Sequence, residues 1–223
     1  SGERISMFSP RKLWPFVLLS VTALALTGCR PQRSYEPPVR TMAPPRGNDA
    51  FFLMRNARVE EYIAIYNRSG LPQVLWPRAQ PYLPTVRKIF EDAGLPRELC
   101  LLPLIESGFR PDARTERAAG LWQFVEGTAK DMGLVVGVKR DERLNWELST
   151  HAAARYLSLL GSRYGGDWAL VLAAYNAGPG TIDAAMAEQQ QTDYWKLKLR
   201  PETMKYVPKF LAMLQSLRGD GGK

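Results

Sequence analysis

Residues 101–108 have the sequence Leu-Leu-Pro-Leu-Ile-Glu-Ser-Gly, an apolar run in which Glu106 is the only charged residue. The run has the composition of a buried helix, and Gly108 marks its end. Apolar neighbours and the negative end of a helix dipole both disfavour an ionised carboxyl, so we expect a raised pKa for Glu106. A carboxyl that stays protonated near neutral pH can act as a general acid. The alternative is a Glu106 that turns into solvent at the helix end and has no chemical role.

Helical periodicity dominates the rest of the chain, which predicts a mainly α domain. Pro103 lies inside one predicted helix, where we expect a kink. Ser149 and Thr150 are expected to cap the helix that follows them, and Asp167 the next. Short strands are expected only between residues 127 and 144. The predicted helices cover residues 50–67, 84–93, 96–106, 151–164, 168–177 and 203–217.

The chain has only two cysteines, Cys29 and Cys100, and one histidine, His151. A zinc site of cysteine and histidine needs more ligands than these, and no nucleophile motif surrounds His151. No metal or cofactor is therefore predicted, and carboxylates are the main candidates for chemistry. We expect Cys100, which lies between two leucines, to be a buried thiol and His151 to be structural or at the surface.

Residues 1–29 have the organisation of a bacterial lipoprotein signal peptide. Basic residues precede the apolar run 13–26, which is shorter than the roughly 20 residues that a membrane span needs. The run ends in Leu26-Thr27-Gly28-Cys29, which resembles the lipobox, where the cysteine becomes the acylated N-terminus. The alternative is an ordinary signal peptide with a coincidental cysteine. Because Arg30 stands where an aspartate would signal inner-membrane retention, we expect an anchor on the periplasmic face of the outer membrane.

The remaining boundaries follow from composition. Residues 30–49 are rich in proline, which predicts a semi-extended tether. The folded domain is expected over residues 50–217. Residues 218–223 are polar and glycine-rich, which predicts a disordered tail.

Three further blocks follow Glu106-Ser107 along the chain. They are Gly120-Leu121-Trp122-Gln123, then Ala173-Ala174-Tyr175-Asn176-Ala177-Gly178, then Glu202-Thr203-Met204-Lys205-Tyr206-Val207. Together and in this order, the four blocks resemble the signatures of the family 1 lytic transglycosylases (glycoside hydrolase family 23). The resemblance covers residues 55–215. One block alone would be a weak signal, whereas four in the family order are specific.

The resemblance implies a lysozyme-like fold with additional N-terminal helices and a groove for glycan. It also implies cleavage of the β-1,4 bond between N-acetylmuramic acid and N-acetylglucosamine in peptidoglycan, without water. Glu106 would be the sole catalytic carboxylate, first as the acid for the leaving oxygen and then as the base for the C6 hydroxyl. That hydroxyl attacks C1 and closes a 1,6-anhydro ring. The N-acetyl group of the substrate would stabilise C1, which removes the need for a second carboxylate.

Motif position also implies roles for residues around Glu106. Ser107 would orient Glu106 or its loop, although a helix-end hydrogen bond without a catalytic part is an equal alternative. Glu202 would line the site, and Tyr206 would donate a hydrogen bond to Glu106.

The two middle blocks would contact the sugar. Gln123 and Asn176 would bind hydroxyl or acetamido groups, because an amide both donates and accepts hydrogen bonds. Tyr175 would form part of the groove wall. For Tyr175, as for Trp122 and Phe124, packing in the core is the alternative.

The loop between Glu106 and Gly120 departs from the family pattern, because Thr115, Glu116 and Arg117 stand where relatives carry serine, glycine or similar small residues. This loop favours one alternative function, a peptidoglycan-binding lipoprotein without activity. A goose-type lysozyme-like hydrolase with the same fold, in which water attacks, is the other alternative. The net charge of +8 fits anionic peptidoglycan peptides and lipid headgroups. Expected partners are glycan strands, the membrane through the lipid anchor and proteins of the cell-wall machinery. Nucleic-acid binding is not expected.

Overall fold

The computed structural model describes residues 49–220 of the chain. The predicted signal peptide with Cys29, the tether up to residue 48 and the last three residues lie outside the described residues. Within residues 49–220, no helix is long and apolar enough to cross a bilayer.

The described part consists mainly of helices joined by short loops. A two-stranded antiparallel sheet pairs β1 (Ala118–Ala119) with β2 (Phe124–Val125). Two 3₁₀ helices cover Arg97–Leu101 and Glu142–Leu144. The α-helices are α1 (Asp49–Phe52), α2 (Ala57–Ser69), α3 (Leu71–Ala79), α4 (Leu83–Asp92), α5 (Pro103–Glu106), α6 (Glu126–Asp131), α7 (Trp146–Arg163), α8 (Trp168–Ala177), α9 (Pro179–Gln189) and α10 (Pro201–Asp220).

Helix α8 forms the centre of the core because its sequence, WALVLAAYNA, is apolar on all sides. Residues 168–174 are all buried, and helices α7, α9 and α10 pack against α8. Asp167 caps its start as predicted, since its carboxylate accepts hydrogen bonds from two backbone amides of the first turn. The last turn of α8, with Tyr175 and Asn176, is therefore held in place by the core.

Helix α10, the last helix of the described chain, packs against helices from the first half of the domain. It packs against α2, α3, α5 and α8 and buries one apolar face, including Val207, Phe210, Leu211 and Leu214. This packing brings a late segment of the sequence next to α5, which carries Glu106.

The predicted helix over residues 96–106 is two helices rather than one kinked helix. A 3₁₀ helix ends at Leu101, and α5 begins at Pro103. Proline lacks the amide hydrogen that a continuing helix would use, but it suits the first position of a new helix. Glu106 therefore lies at the end of a single helical turn.

The predicted cap of the helix over residues 151–164 is wrong. Helix α7 begins at Trp146, and the Asn145 side chain accepts hydrogen bonds from the amides of Glu147 and Leu148. Ser149 and Thr150 lie inside the helix, are buried, and both donate hydroxyl hydrogen bonds to the carbonyl of Trp146. Serine and threonine are also favoured at helix caps, so residue type alone did not identify Asn145 as the cap.

Two other boundaries differ from the prediction. The strands lie before residue 127, and within residues 127–144 only a single antiparallel bridge forms, between Val136 and Asp141. The predicted tail is wrong for residues 218–220, which belong to α10. Arg218 is held there because its guanidinium donates to the Phe52 carbonyl at 3.0 Å and to the Glu98 carboxylate at 3.1 Å.

Candidate active site

Glu106 ends helix α5 and keeps part of its side chain open to solvent while the protein surrounds the rest. Burial raises the pKa of Glu106 to about 7. The hydrogen bond that Tyr206 Oη donates to Glu106 Oε1 acts in the opposite direction, and the negative charge of Glu202 adds to the rise. A pKa near neutrality allows one carboxyl to donate a proton and then to accept one.

The backbone turns sharply after Glu106. Gly108 has a φ of 62° and Phe109 a φ of 57°, which is unusual for a bulky residue. Phe109 is buried and its ring stacks on Tyr82 at a centroid distance of 6.2 Å. Packing of this ring therefore holds a strained turn directly beside the carboxyl.

Ser107 fixes this turn to the second motif block. Its hydroxyl donates to the Leu121 carbonyl at 2.8 Å and accepts from the Arg110 amide at 3.1 Å. Ser107 is buried, and these bonds orient the loop rather than the Glu106 carboxyl.

Gly120 permits a close approach of two backbone segments in the second block. Its φ is 84°, and a Cβ at this position would lie 1.7 Å from the Arg143 carbonyl oxygen. Gln123 also has a left-handed backbone, with a φ of 50°. Its Nε2 donates to the Gly120 carbonyl at 2.8 Å and to the Ala113 carbonyl at 3.3 Å. The amide nitrogen of Gln123 is therefore used within the protein.

Trp122 is a core residue, as the alternative interpretation of the aromatic residues predicted. The indole is fully buried, stacks on Phe90 at 5.2 Å and donates from Nε1 to the Thr150 hydroxyl at 2.9 Å. Phe124 is buried as well. These two aromatic side chains fix the second motif block to the core.

Tyr175 joins the third block to the second. Its hydroxyl donates to the Trp122 carbonyl at 2.8 Å, and its ring lies 5.6 Å from that of Tyr156. Burial, followed by the negative charge of Glu106, holds the pKa of Tyr175 well above its ordinary value. Tyr175 is therefore a neutral donor close to Glu106.

Asn176 joins the third block to the fourth, because its Oδ1 accepts a hydrogen bond from the Thr203 hydroxyl at 3.0 Å. Thr203 is buried, and the adjacent Glu202 is exposed. Thr203 belongs to the fourth motif block, but the motif predicted no role for it. Its position one residue after a predicted site residue was the available signal.

Four hydrogen bonds thus close a circuit through all four blocks. Ser107 bonds to Leu121, Tyr175 to Trp122, Thr203 to Asn176, and Tyr206 returns to Glu106. All six predicted substrate-site residues therefore lie in or beside one connected cluster around Glu106.

The loop that departs from the family pattern is an ordered turn. The Thr115 amide donates to the Ala118 carbonyl at 2.8 Å, and the Ala118 amide donates to the Thr115 hydroxyl at 2.9 Å. Glu116 and Arg117 are exposed at its tip. Arg114 at its base donates to the Asp141 carboxylate at 3.0 Å.

Groups that could hold a metal ion are absent from the described part of the chain, where no three histidine, cysteine or acidic side chains cluster. Cys100 is buried, and burial raises the pKa of its thiol to about 11. His151 is exposed on α7. Both residues have the surroundings predicted for them.

Comparison with known proteins identifies a family for part of the chain. Residues 89–198 match the family described as the transglycosylase SLT domain. This segment belongs to the transglycosylase SLT family. The SLT domain begins near the end of α4, so helices α1–α3 are the additional N-terminal helices that were predicted.

Individual proteins similar to this chain are also named as transglycosylases. The chain is 38% identical over 170 residues to membrane-bound lytic murein transglycosylase D of Escherichia coli K12, an alignment that covers 73% of this chain and 37% of that protein. It is 40% identical over 79 residues to the peptidoglycan transglycosylase gp16 of Escherichia phage T7, covering 34% of this chain and 6% of that protein. The chain thus spans little more than a third of its first curated relative.

A solved structure has the same fold. It is an inactive glutamate-to-glutamine mutant of the lytic transglycosylase Slt from Pseudomonas aeruginosa, with a TM-score of 0.51 and 25% identity. The match covers 61% of this chain and 24% of that one. The predicted mainly α, lysozyme-like fold is therefore confirmed.

Proposed function

We propose that this chain is a lytic transglycosylase that cuts peptidoglycan glycan strands, with Glu106 as its acid and then its base. The observation that carries the proposal is a partly buried carboxyl with a pKa of about 7, inside an SLT domain and hydrogen-bonded by Tyr206. Two of its relatives are named for transglycosylase activity on murein or peptidoglycan. One solved relative is described as inactive with a glutamine in place of a glutamate.

The proposed reaction needs one proton donor. Protonated Glu106 gives its proton to the glycosidic oxygen between N-acetylmuramic acid and N-acetylglucosamine as the C1–O bond breaks. The acetamido oxygen of the muramic acid residue stabilises C1 during this step. The C6 hydroxyl then attacks C1 and loses its proton to the Glu106 carboxylate, which restores the starting form and leaves a 1,6-anhydro end.

Tyr206 suits both steps, because its hydroxyl donates to the carboxyl in either protonation state. Burial and the charge of Glu106 keep the pKa of Tyr206 well above its ordinary value, so the phenol stays neutral while the carboxyl changes charge. Gln123 and Asn176 would hold the sugar substituents, with Thr203 orienting the Asn176 amide. Tyr175 would form part of the wall and Glu202 the rim of the site.

Product analysis tests the reaction. Purified sacculi are digested with the wild-type chain and with Glu106→Gln, and the fragments are identified by mass spectrometry. We expect 1,6-anhydromuramic acid ends from the wild type and a loss of about 10²-fold or more in rate from the variant. Reducing ends would instead indicate the lysozyme-like hydrolase, and equal rates in both proteins would indicate a glycan-binding lipoprotein.

The hydrolase would need a second carboxylate to hold the attacking water. Glu202 is the acidic side chain whose charge acts on Glu106, so it is the candidate for that role. Glu202→Gln separates the two reactions by the type of end formed: a transglycosylase should still give anhydro ends, at a rate that follows the altered pKa of Glu106, whereas a hydrolase should no longer give reducing ends.

We also propose attachment to the outer membrane through an acylated Cys29, facing the periplasm. Support comes from the lipobox Leu26-Thr27-Gly28-Cys29 and from the name of the membrane-bound relative. Cys29→Ala should move the protein from the membrane fraction to the soluble fraction. Retention of the variant in membranes would count against acylation. Contacts with cell-wall machinery would follow from this location.

A further inference from the structure

An apolar hairpin projects from the described domain on the segment between α6 and α7. We call residues 133–142 the Val138 hairpin. Leu134 is buried at its base, whereas Val135 is 50% exposed and Val138 is fully exposed. Exposed single valines are common. Here two lie on one short hairpin, one of them at its tip, and together they form a small exposed apolar surface on a basic protein.

Backbone hydrogen bonds and one acidic side chain hold the hairpin together. The Gly137 amide donates to the Arg140 carbonyl at 2.8 Å, and the Glu142 amide donates to the Val135 carbonyl at 2.8 Å. The Glu142 carboxylate, only 9% exposed, accepts from the Val135 amide at 2.6 Å and pairs with Arg140. A nearly buried carboxylate is therefore engaged in presenting the valines, which do not collapse onto the domain.

The base of the hairpin is fixed in the same way. The Arg155 guanidinium on α7 donates to the Met132 carbonyl at 2.5 Å, and the Leu134 amide donates to the Ala129 carbonyl at 2.9 Å. The tip therefore projects from a scaffold that reaches α6 and α7.

Charge at the tip is positive. Lys139 follows Val138 directly, is exposed, and has no ion pair among the described residues. The two neighbouring acidic side chains are already engaged: Asp141 bonds to Arg143 and Arg114, and Glu142 to Arg140. The tip thus combines a projecting apolar side chain with an uncompensated cation.

We propose that the Val138 hairpin is a bilayer contact that inserts Val138 below the headgroups of anionic phospholipids. Lys139 then meets the phosphate layer, which lies directly above the apolar layer that takes up the valine. A protein partner fits less well, because a stable interface buries about 800 Å² on each side, whereas the exposed apolar surface here is limited to two valine side chains. The proposal is independent of the glycan reaction and of acylation at Cys29.

The experiment places an environment-sensitive fluorophore on the tip. In the full chain with Cys29→Ser, one cysteine is introduced as Val138→Cys and labelled. Cys100 is buried and resists labelling because its thiol pKa is raised to about 11. Val74→Cys is the matched control, since Val74 is 56% exposed on α3. Both proteins carry the same substitution at residue 29 and are mixed with the vesicles at the same concentrations, so only the position of the label differs.

We expect a blue shift for the label at residue 138, and none at residue 74, with vesicles of phosphatidylglycerol and phosphatidylethanolamine. The shift should be smaller with phosphatidylcholine alone, and Lys139→Ala should lower the inserted fraction about fivefold. Equal spectra at the two positions would overturn the proposal. So would a shift at residue 138 that purified sacculi produce and vesicles do not, because the hairpin would then contact the wall polymer.

Discussion

Tyr206 on α10 donates a hydrogen bond to Glu106, which lies one hundred positions earlier in the chain. This bond lowers the pKa of Glu106, whereas burial and the charge of Glu202 raise it. The value of about 7 is therefore a balance of three contributions. Two of them come from one face of α10, so this helix adjusts a pKa that burial, the largest cause, raises.

Substitutions at these two positions should move the pH profile in opposite directions. Activity requires protonated Glu106 and is lost as pH rises through its pKa. Tyr206→Phe removes the bond that lowers this pKa, so the alkaline limb of kcat/KM should move to higher pH, with a reduced maximum. Glu202→Gln removes a charge that raises the pKa, so the limb should move to lower pH.

The control for this pair is Tyr164→Phe, which deletes a hydroxyl bonded to Pro179 and Asp183. Its alkaline limb should coincide with that of the wild type. Profiles of Tyr206→Phe and Glu202→Gln that shift in the same direction would contradict the balance described above.

Glu106→Gln should stabilise the protein at alkaline pH while it removes activity. The folded-state pKa of Glu106 is about 7 and the ordinary value is 4.5, so the native state binds the extra proton and loses stability as pH rises from 4.5 to 7. Above pH 7 the variant should be more stable than the wild type by about 1–3 kcal/mol. The pKa shift corresponds to the upper end of this range, and contact of the Glu106 side chain with solvent lowers the value. At pH 4.5 and below, most of this difference disappears.

Urea denaturation at acidic and alkaline pH measures this difference. Glu188→Gln, an exposed site on α9, is the control and should show no such dependence on pH. A stability difference of the same size at both pH values would show that the gain of Glu106→Gln comes from packing rather than from ionisation.

Gly120→Ala should destabilise the domain severely. The new Cβ would lie 1.7 Å from the Arg143 carbonyl oxygen, and the φ of 84° is strained for any other residue. We expect a loss of about 3 kcal/mol or more, seen as a lower thermal midpoint or failure to fold. Gly127→Ala is the control: nothing lies within 4 Å of its Cβ, and alanine in helix α6 should be neutral or slightly stabilising.

Ser107→Ala should destabilise the folded domain. It leaves the buried Leu121 carbonyl without its donor at 2.8 Å and the Arg110 amide without its acceptor. Loss of these bonds should cost about 1–3 kcal/mol in chemical denaturation. Ser158→Ala removes only a bond within helix α7, to the Ala154 carbonyl, and should change stability by less than about 0.5 kcal/mol. Equal effects of the two substitutions would exclude a special role for Ser107.

Local signals predicted the parts of this fold that depend on local chemistry. Asp167 caps α8 because its side chain reaches amides two and three residues away, and the apolar sequence of α8 marks it as central. The isolation of Glu106 in an apolar run predicted its raised pKa. The bond from Tyr206 was implied only by the order of the family motifs, because no local rule spans such a separation.

Features that depend on tertiary packing were missed or misplaced. Asn145 rather than Ser149 or Thr150 caps α7, and residue type alone does not identify it because all three types are favoured at caps. No role was predicted for Thr203, because its hydrogen bond to Asn176 joins two helices, α10 and α8, whose packing the sequence does not show. The motif includes Gly120 but does not show why glycine is required there. The reason is that a side chain would collide with the backbone of Arg143, which lies far along the sequence.

The circuit of four hydrogen bonds through the motif blocks has a consequence for biosynthesis. Glu106 leaves the ribosome long before Tyr206, and the bonds from Thr203 and Tyr206 both require α10 to be docked. A nascent chain that has exposed only its first two blocks holds the acidic side chain without its phenolic partner. The cluster around Glu106 is therefore complete only after α10 has been made and has packed against α5 and α8.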